Sequence, residues 1–175
     1  MHSDPTRQPL RRELALVLAL LLAGIGPVLA QSRIGQGGWE GFTGTGSHGK
    51  FERCVLYNRS IEALNDSPYD MLGLTRDVSG RVGMLVFYRP RALTRGTGIT
   101  AQLRLDQHPP VTLTGDVTSD FHIQLLGPLD AKFVETLRQA KTLEAVTQGQ
   151  TAKFDLVEPG AVLDALTACV TKHEK

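Results

Sequence analysis

The chain has 175 residues, room for one domain of ordinary size rather than two. Its 19 basic and 18 acidic side chains nearly cancel, so overall charge selects no acidic or basic partner. A hydrophobic share of 41% with 21% charged residues excludes a disordered chain and a protein embedded in membrane along its length. Two cysteines are too few for a disulfide-stapled miniprotein or a four-cysteine zinc site.

Residues 1–30 read as a secretory signal peptide. Arg7, Arg11 and Arg12 precede the uncharged apolar run LALVLALLLAGIGPVLA, which is interrupted near its end by Gly24, Gly26 and Pro27. Val28-Leu29-Ala30 presents small residues to a peptidase, and Gln31 rather than Cys follows, so lipid attachment at that site is excluded. The alternative is a retained anchor, since the run is nearly long enough to span a bilayer. The helix-breaking end favours cleavage. Loss of the leader leaves 16 bases and 16 acids in a neutral protein, expected to be periplasmic or secreted.

Residues 31–50 are so rich in glycine (GQGGWEGFTGTGSHG) that a flexible arm is expected, because ordering it costs entropy and buries little. Within it, GTGSHGK imitates a phosphate-binding loop. Phe51 stands where Ser or Thr would hold magnesium, and a strand-like run follows where a helix is required, so no nucleotide is expected. Trp39 and Phe42 either pack back onto the domain or meet a partner.

The domain proper, 51–175, is mostly of period two. Strands are expected at 51–58 (FERCVLYN), at 71–77 (MLGLTRD) and at 82–89 (VGMLVFYR), the last apolar on both faces and therefore central. Ile99, Ala101, Leu103 and Leu105 alternate with polar residues as in a half-buried antiparallel strand, which His108-Pro109-Pro110 ends. Strands follow at 111–115 and 121–126, and a hairpin at 141–147 and 151–157. Two helices interrupt them. Asp130 caps the first, striped by Leu129, Phe133, Leu137 and Ala140; the second, from about Gly160, carries Val162, Leu166, Cys169 and Val170 on one face.

Export permits a disulfide between Cys54 and Cys169, which would tie the first strand to the last helix. Two separate buried thiols are the alternative. Nothing near either cysteine supplies a base for nucleophilic catalysis.

In order and wording these features resemble the invasion-associated locus B family of exported bacterial proteins. The resemblance rests on FERCVLY, the turn Asp77-Val78-Ser79-Gly80, LVFYRPRALTRG, TAQLRLD and the closing AVLDALTACV, and it spans 51–171. It implies a mainly β fold, an immunoglobulin-like antiparallel β-sandwich with two short helices, and a link to host-cell invasion. The chain lacks the central cysteines of the family's main branch.

Chemistry-bearing patterns are sparse. Of the histidines, His2 leaves with the leader, His48 lies in the arm, His108 in a proline turn, His122 on the polar face of a strand and His173 at the terminus. None has metal-ligand spacing, so no metal or other cofactor is expected. Ser60, Ser67 and Ser79 lack a nucleophile-elbow context. One charge feature remains. Arg76, Arg81, Arg89, Arg91, Arg95 and Arg104 are accompanied by one acid, Asp77, and form a candidate patch for an anionic partner. The ordinary alternative is a solvated strand face. The expected function is non-catalytic: an envelope or host-surface interaction module that meets a protein or anionic envelope component, not nucleic acid, and touches the membrane only through its leader. A periplasmic inhibitor or accessory factor of an envelope enzyme or secretion system is the second reading, and an unrecognised hydrolase a distant third.

Overall fold

Ten strands pair into one antiparallel ladder in the structure, a computed structural model that describes residues 33–46, 48–58, 71–87, 93–120, 122–126 and 129–174. In chain order the strands are β1 (Arg33–Gln36), β2 (Trp39–Thr45), β3 (Phe51–Tyr57), β4 (Met71–Asp77) and β5 (Val82–Phe87). They continue with β6 (Gly98–Leu105), β7 (Val111–Ser119), β8 (His122–Leu126), β9 (Thr142–Thr147) and β10 (Gln150–Asp155). Two helices complete the described elements, α1 (Ala131–Gln139) and α2 (Pro159–His173). The fold is mainly β, as the alternation implies. Across the sheet the order is β1-β2-β3-β4-β5-β8-β7-β6-β9-β10.

The two halves of the ladder share one core. Leu56, Leu74 and Met84 from the first half meet Leu103, Leu143 and Phe154 from the second in a single buried cluster. β6 shows the cause most directly: Ile99, Ala101, Leu103 and Leu105 are buried while Thr100, Gln102 and Arg104 face water. Its register with β9 sets Leu103 beside Ala145 and Leu105 beside Leu143 on that inner face.

Both helices begin where their sequences dictate. The Asp130 carboxylate accepts the Phe133 backbone N–H at 2.6 Å, and Phe133 and Leu137 then point into the core. Pro159 opens α2, where a missing N–H costs nothing. Val162, Leu163, Leu166, Cys169 and Val170 form its buried stripe.

The glycine-rich stretch is not an arm through residues 33–45. β1 and β2 form a hairpin closed by Gly37 and Gly38, whose φ of 55° and 81° suit a two-residue turn. Trp39 is only 2% exposed and joins the main core, and its indole N–H donates to the Val157 carbonyl at 3.0 Å. Gly41 shows why glycine belongs in this strand: a Cβ there would lie 1.7 Å from the Val55 carbonyl oxygen. The entropy cost is real, but a large indole and close strand pairing outweigh it. The segment that imitates a phosphate-binding loop lies at the β2–β3 turn, in which the Gly46 N–H donates to the Lys50 carbonyl. The leader lies outside the described residues, as do Ser60, Ser67, Arg89 and Arg91. Among the described residues no helix is long and apolar enough to cross a membrane.

Candidate functional site

Cys54 and Cys169 are joined in a disulfide, with Cα atoms 6.3 Å apart across 115 positions of sequence. Cys54 sits on the inward side of β3 and Cys169 on the buried stripe of α2, so the bond fixes that helix against the sheet. Both sulfurs are enclosed, which makes this a structural bond rather than a reactive pair.

The outer face of β3, β4, β5 and β8 carries a groove of about 320 Å³ near the β4–β5 turn. It exists because Gly83 has no side chain, since a Cβ there would stand 2.7 Å from the Thr75 hydroxyl. Leu85 and Gln124 extend its floor. Arg53 and Arg81 stand on its rim, each beside a carboxylate. Arg53 pairs with Glu52 at 3.2 Å, and the Arg81 Nε donates to Asp77 at 2.7 Å. Asp77 also accepts the backbone N–H groups of Ser79 and Arg81 and the Ser79 hydroxyl, which rigidifies the turn. Partial burial pushes the Asp77 pKa up, but these hydrogen bonds and the Arg81 charge outweigh it and hold the carboxyl below its usual range. The Arg81 side chain is 66% exposed, so most of its guanidinium faces water.

The six-arginine segment is therefore only partly assembled. Arg76 and Arg81 flank the β4–β5 turn, where the Arg76 guanidinium passes beside Gly80, but Arg76 opposes the buried Cys54 in register and does not line the groove. Arg53, absent from the sequence-based set, joins Arg81 at the groove. Its position opposite Asp77 on the neighbouring strand is a register fact that spacing does not reveal. Arg95 lies at a turn whose next residue, Gly96, donates to Val117, toward the opposite end of the strands. Arg104 is on β6, which β8 and β7 separate from β5, and it faces Glu144 in register. Arg89 and Arg91 lie outside the described residues.

On the same outer face a second apolar cluster gathers Val55, Tyr57, Met71 and Leu85, with Phe42 and Phe87 packed against it. Four rings run across the strands. Phe42 and Tyr57 have centroids 6.0 Å apart, Tyr57 and Phe87 meet edge to face at 5.7 Å, and Phe87 stacks on His122 at 4.3 Å. Tyr57 lies over Gly73, where a Cβ would be 2.7 Å from its ring. Burial pushes the Tyr57 hydroxyl up to about 12, against a small opposing pull from Arg53. His122 was expected on a solvated polar face, and the structure corrects this. It is half-buried, its Nε2 is enclosed, and burial lowers its pKa to about 4.

Beside α1 a second concavity of about 510 Å³ is bordered by Asp106, His108, Lys132 and Glu135. Asp106 is already engaged: it accepts the Thr142 and Lys141 backbone N–H groups and the Thr142 hydroxyl, which pin the end of β6 to the start of β9. Those bonds, led by that of the Thr142 N–H, keep its pKa below the usual carboxylate value. Among the described residues no three His, Cys, Asp or Glu side chains group as a metal site.

No family model matches the chain, and no curated protein does. A solved structure does, the crystal structure of invasion associated protein B from Bartonella henselae. The match covers 82% of this chain and 99% of that one, at 14% identity and a TM-score of 0.51. The resemblance read from five short motifs thus extends to three dimensions, and the chain has the fold of invasion associated protein B.

Proposed function

We propose that the chain is an exported, non-catalytic interaction module of the envelope or host-cell surface, which uses the arginine-rimmed groove at the β4–β5 turn. The observation that carries this reading is the meeting of Arg53 and Arg81 around a rigid turn and a glycine-floored groove. Guanidinium groups present flat, forked donors suited to carboxylate and phosphate, so the partner is a protein with an acidic contact surface or an anionic envelope component. The leader, the disulfide and the likeness to invasion associated protein B support a place outside the cytoplasm. The test is capture of envelope components on the purified protein, followed by titration of the recovered component. Replacing Arg53 and Arg81 with Gln should weaken that binding by roughly tenfold or more, the loss of one or two charge-assisted hydrogen bonds. The melting temperature should hardly change, because exposed ion pairs contribute little to stability. Undiminished binding by the double variant refutes the assignment of the groove.

A further inference from the structure

His122 is held in an unusual way for a residue on an outer sheet face. Its ring lies flat on Phe87, with planes 10° apart, and Phe87 in turn meets Tyr57. Its Nε2 is enclosed and makes no hydrogen bond, and the hydroxyl of its register partner Ser119 is likewise enclosed and unpaired. Next to this pair the ladder is irregular, with a register shift between Val117 and Ser119. At the tip of the hairpin the Leu93 N–H donates to the Asp120 carbonyl, and the Thr118 hydroxyl donates to the His122 carbonyl.

We propose that His122 is an acid-triggered release for the β7–β8 hairpin: protonating its ring undoes the stack on Phe87 and uncovers the aromatic strip on the outer face of β5. The reason is that, among the described residues, no counter-ion faces the ring, and the one enclosed polar neighbour, the neutral Ser119 hydroxyl, makes no hydrogen bond to it. A buried imidazolium needs an acceptor or a counter-ion. β5 offers Phe87 and Leu85, and β4 offers Met71, none of them ionisable. β3 brings Tyr57, neutral until far above neutral pH, and Arg53, of the wrong sign. On β7 the acid is Asp116, in register with Gln124 rather than with His122, and Asp120 at the hairpin tip is exposed. Burial alone accounts for the depressed basicity of the ring, with no charged neighbour contributing. Cation–π attraction to Phe87 opposes the release and is outweighed.

The linkage has a definite sign. The ring takes up its proton near pH 4 when folded and near 6.5 when free, so closure is fully supported above pH 6.5 and loses support as pH falls toward 4. Between pH 7 and 4 the equilibrium for opening should rise on the order of 100-fold. The proposal does not rest on the arginine-rimmed groove, but the two share β5 and β8, so opening of the hairpin also alters the groove floor at Leu85 and Gln124.

The experiment follows the histidine rings of the full chain by NMR, and backbone hydrogen exchange corrected for its intrinsic pH dependence, from pH 7.5 to 4. His122 should titrate near pH 4, well below the ordinary imidazole value of 6.5, and exchange should accelerate at 117–126 and 82–87 ahead of β6 and β9. The variant His122→Phe keeps the stack without the proton and should stay closed. A His122 midpoint near 6.5, or an acceleration spread evenly over the sheet, or one equally large in His122→Phe, overturns the proposal. Should that variant not fold, the ring titration and the location of exchange in the unaltered protein decide between the same two results.

Discussion

Removing the disulfide tests how the last helix is held. The bond closes a loop of 115 residues, and the chain-entropy relation assigns such a loop roughly 4–5 kcal/mol of stabilisation. For a domain of this size each kcal/mol moves the melting temperature by roughly 2–4 °C, so breaking the bond should lower it by about 10–20 °C. The helix itself should survive. Val162, Leu163, Leu166 and Val170 remain buried, and each contributes roughly 1.5–3 kcal/mol by staying out of water. Circular dichroism of the oxidised and reduced protein, and of Cys54→Ala/Cys169→Ala, should therefore show similar helix content at 20 °C but separate melting curves. Hydrogen exchange should accelerate first in α2 and in its neighbour β3. Melting temperatures within about 2 °C of each other would refute the reasoning, because the loop term would then be absent. Equal acceleration across β6–β9 would refute its spatial part.

Trp39→Phe removes the indole donor to Val157 while keeping a ring in the core, and should cost roughly 1–2 kcal/mol in urea unfolding; a loss below about 0.3 kcal/mol would remove the closure role of that bond. Tyr57 should ionise late in an ultraviolet absorbance titration, near pH 12. Its raised folded value means that its contribution is intact below pH 10 and is lost as pH climbs through 12, amounting to about 2–3 kcal/mol, and Tyr57→Phe should remove this alkaline sensitivity. Intact mass of the exported protein should begin at Gln31, and a mature form that keeps residues 14–29 would make it an anchored protein.

Much of the fold is legible where one property dominates. The alternation at 98–105 and the Asp130 cap lead straight to β6 and α1, since each is decided within a few residues. The first hairpin is not legible in that way. Its glycines suggest entropy loss, whereas Gly41 is there because two backbones come too close for a Cβ, a constraint that belongs to the partner strand. Gly37-Gly38 between Gln36 and Trp39 was the available signal for it. His122 misleads for a related reason. Alternation assigns it to a polar face, but the run 82–87 is apolar on both faces, and its second face needed neighbours of its own. The groove combines residues from β3, β4, β5 and β8, and only strand register brings Arg53 to Asp77. Charge clustering along the sequence finds Arg81 at the groove, while Arg76, at the same turn, faces the other side of β4. It fails for Arg95 and Arg104, which strand crossings carry away.

The bonds Cys54–Cys169 and Trp39–Val157 join positions 115 and 118 residues apart. A chain is synthesised from its N-terminus, so β1, β2 and β3 emerge while the segment that completes their packing has yet to be made. Contacts of such long range are also slow to form, because the closure entropy must be met before they return anything. Until the segment from Val157 through α2 arrives, the first hairpin has an unsatisfied indole, β3 has an unpaired thiol, and both lack part of their core. Both fastenings then engage within the last twenty residues. The protein thereby reads out its own completeness: a product truncated before Val157 lacks both, and is left with a free Cys54 thiol, incompletely packed and open to proteolysis.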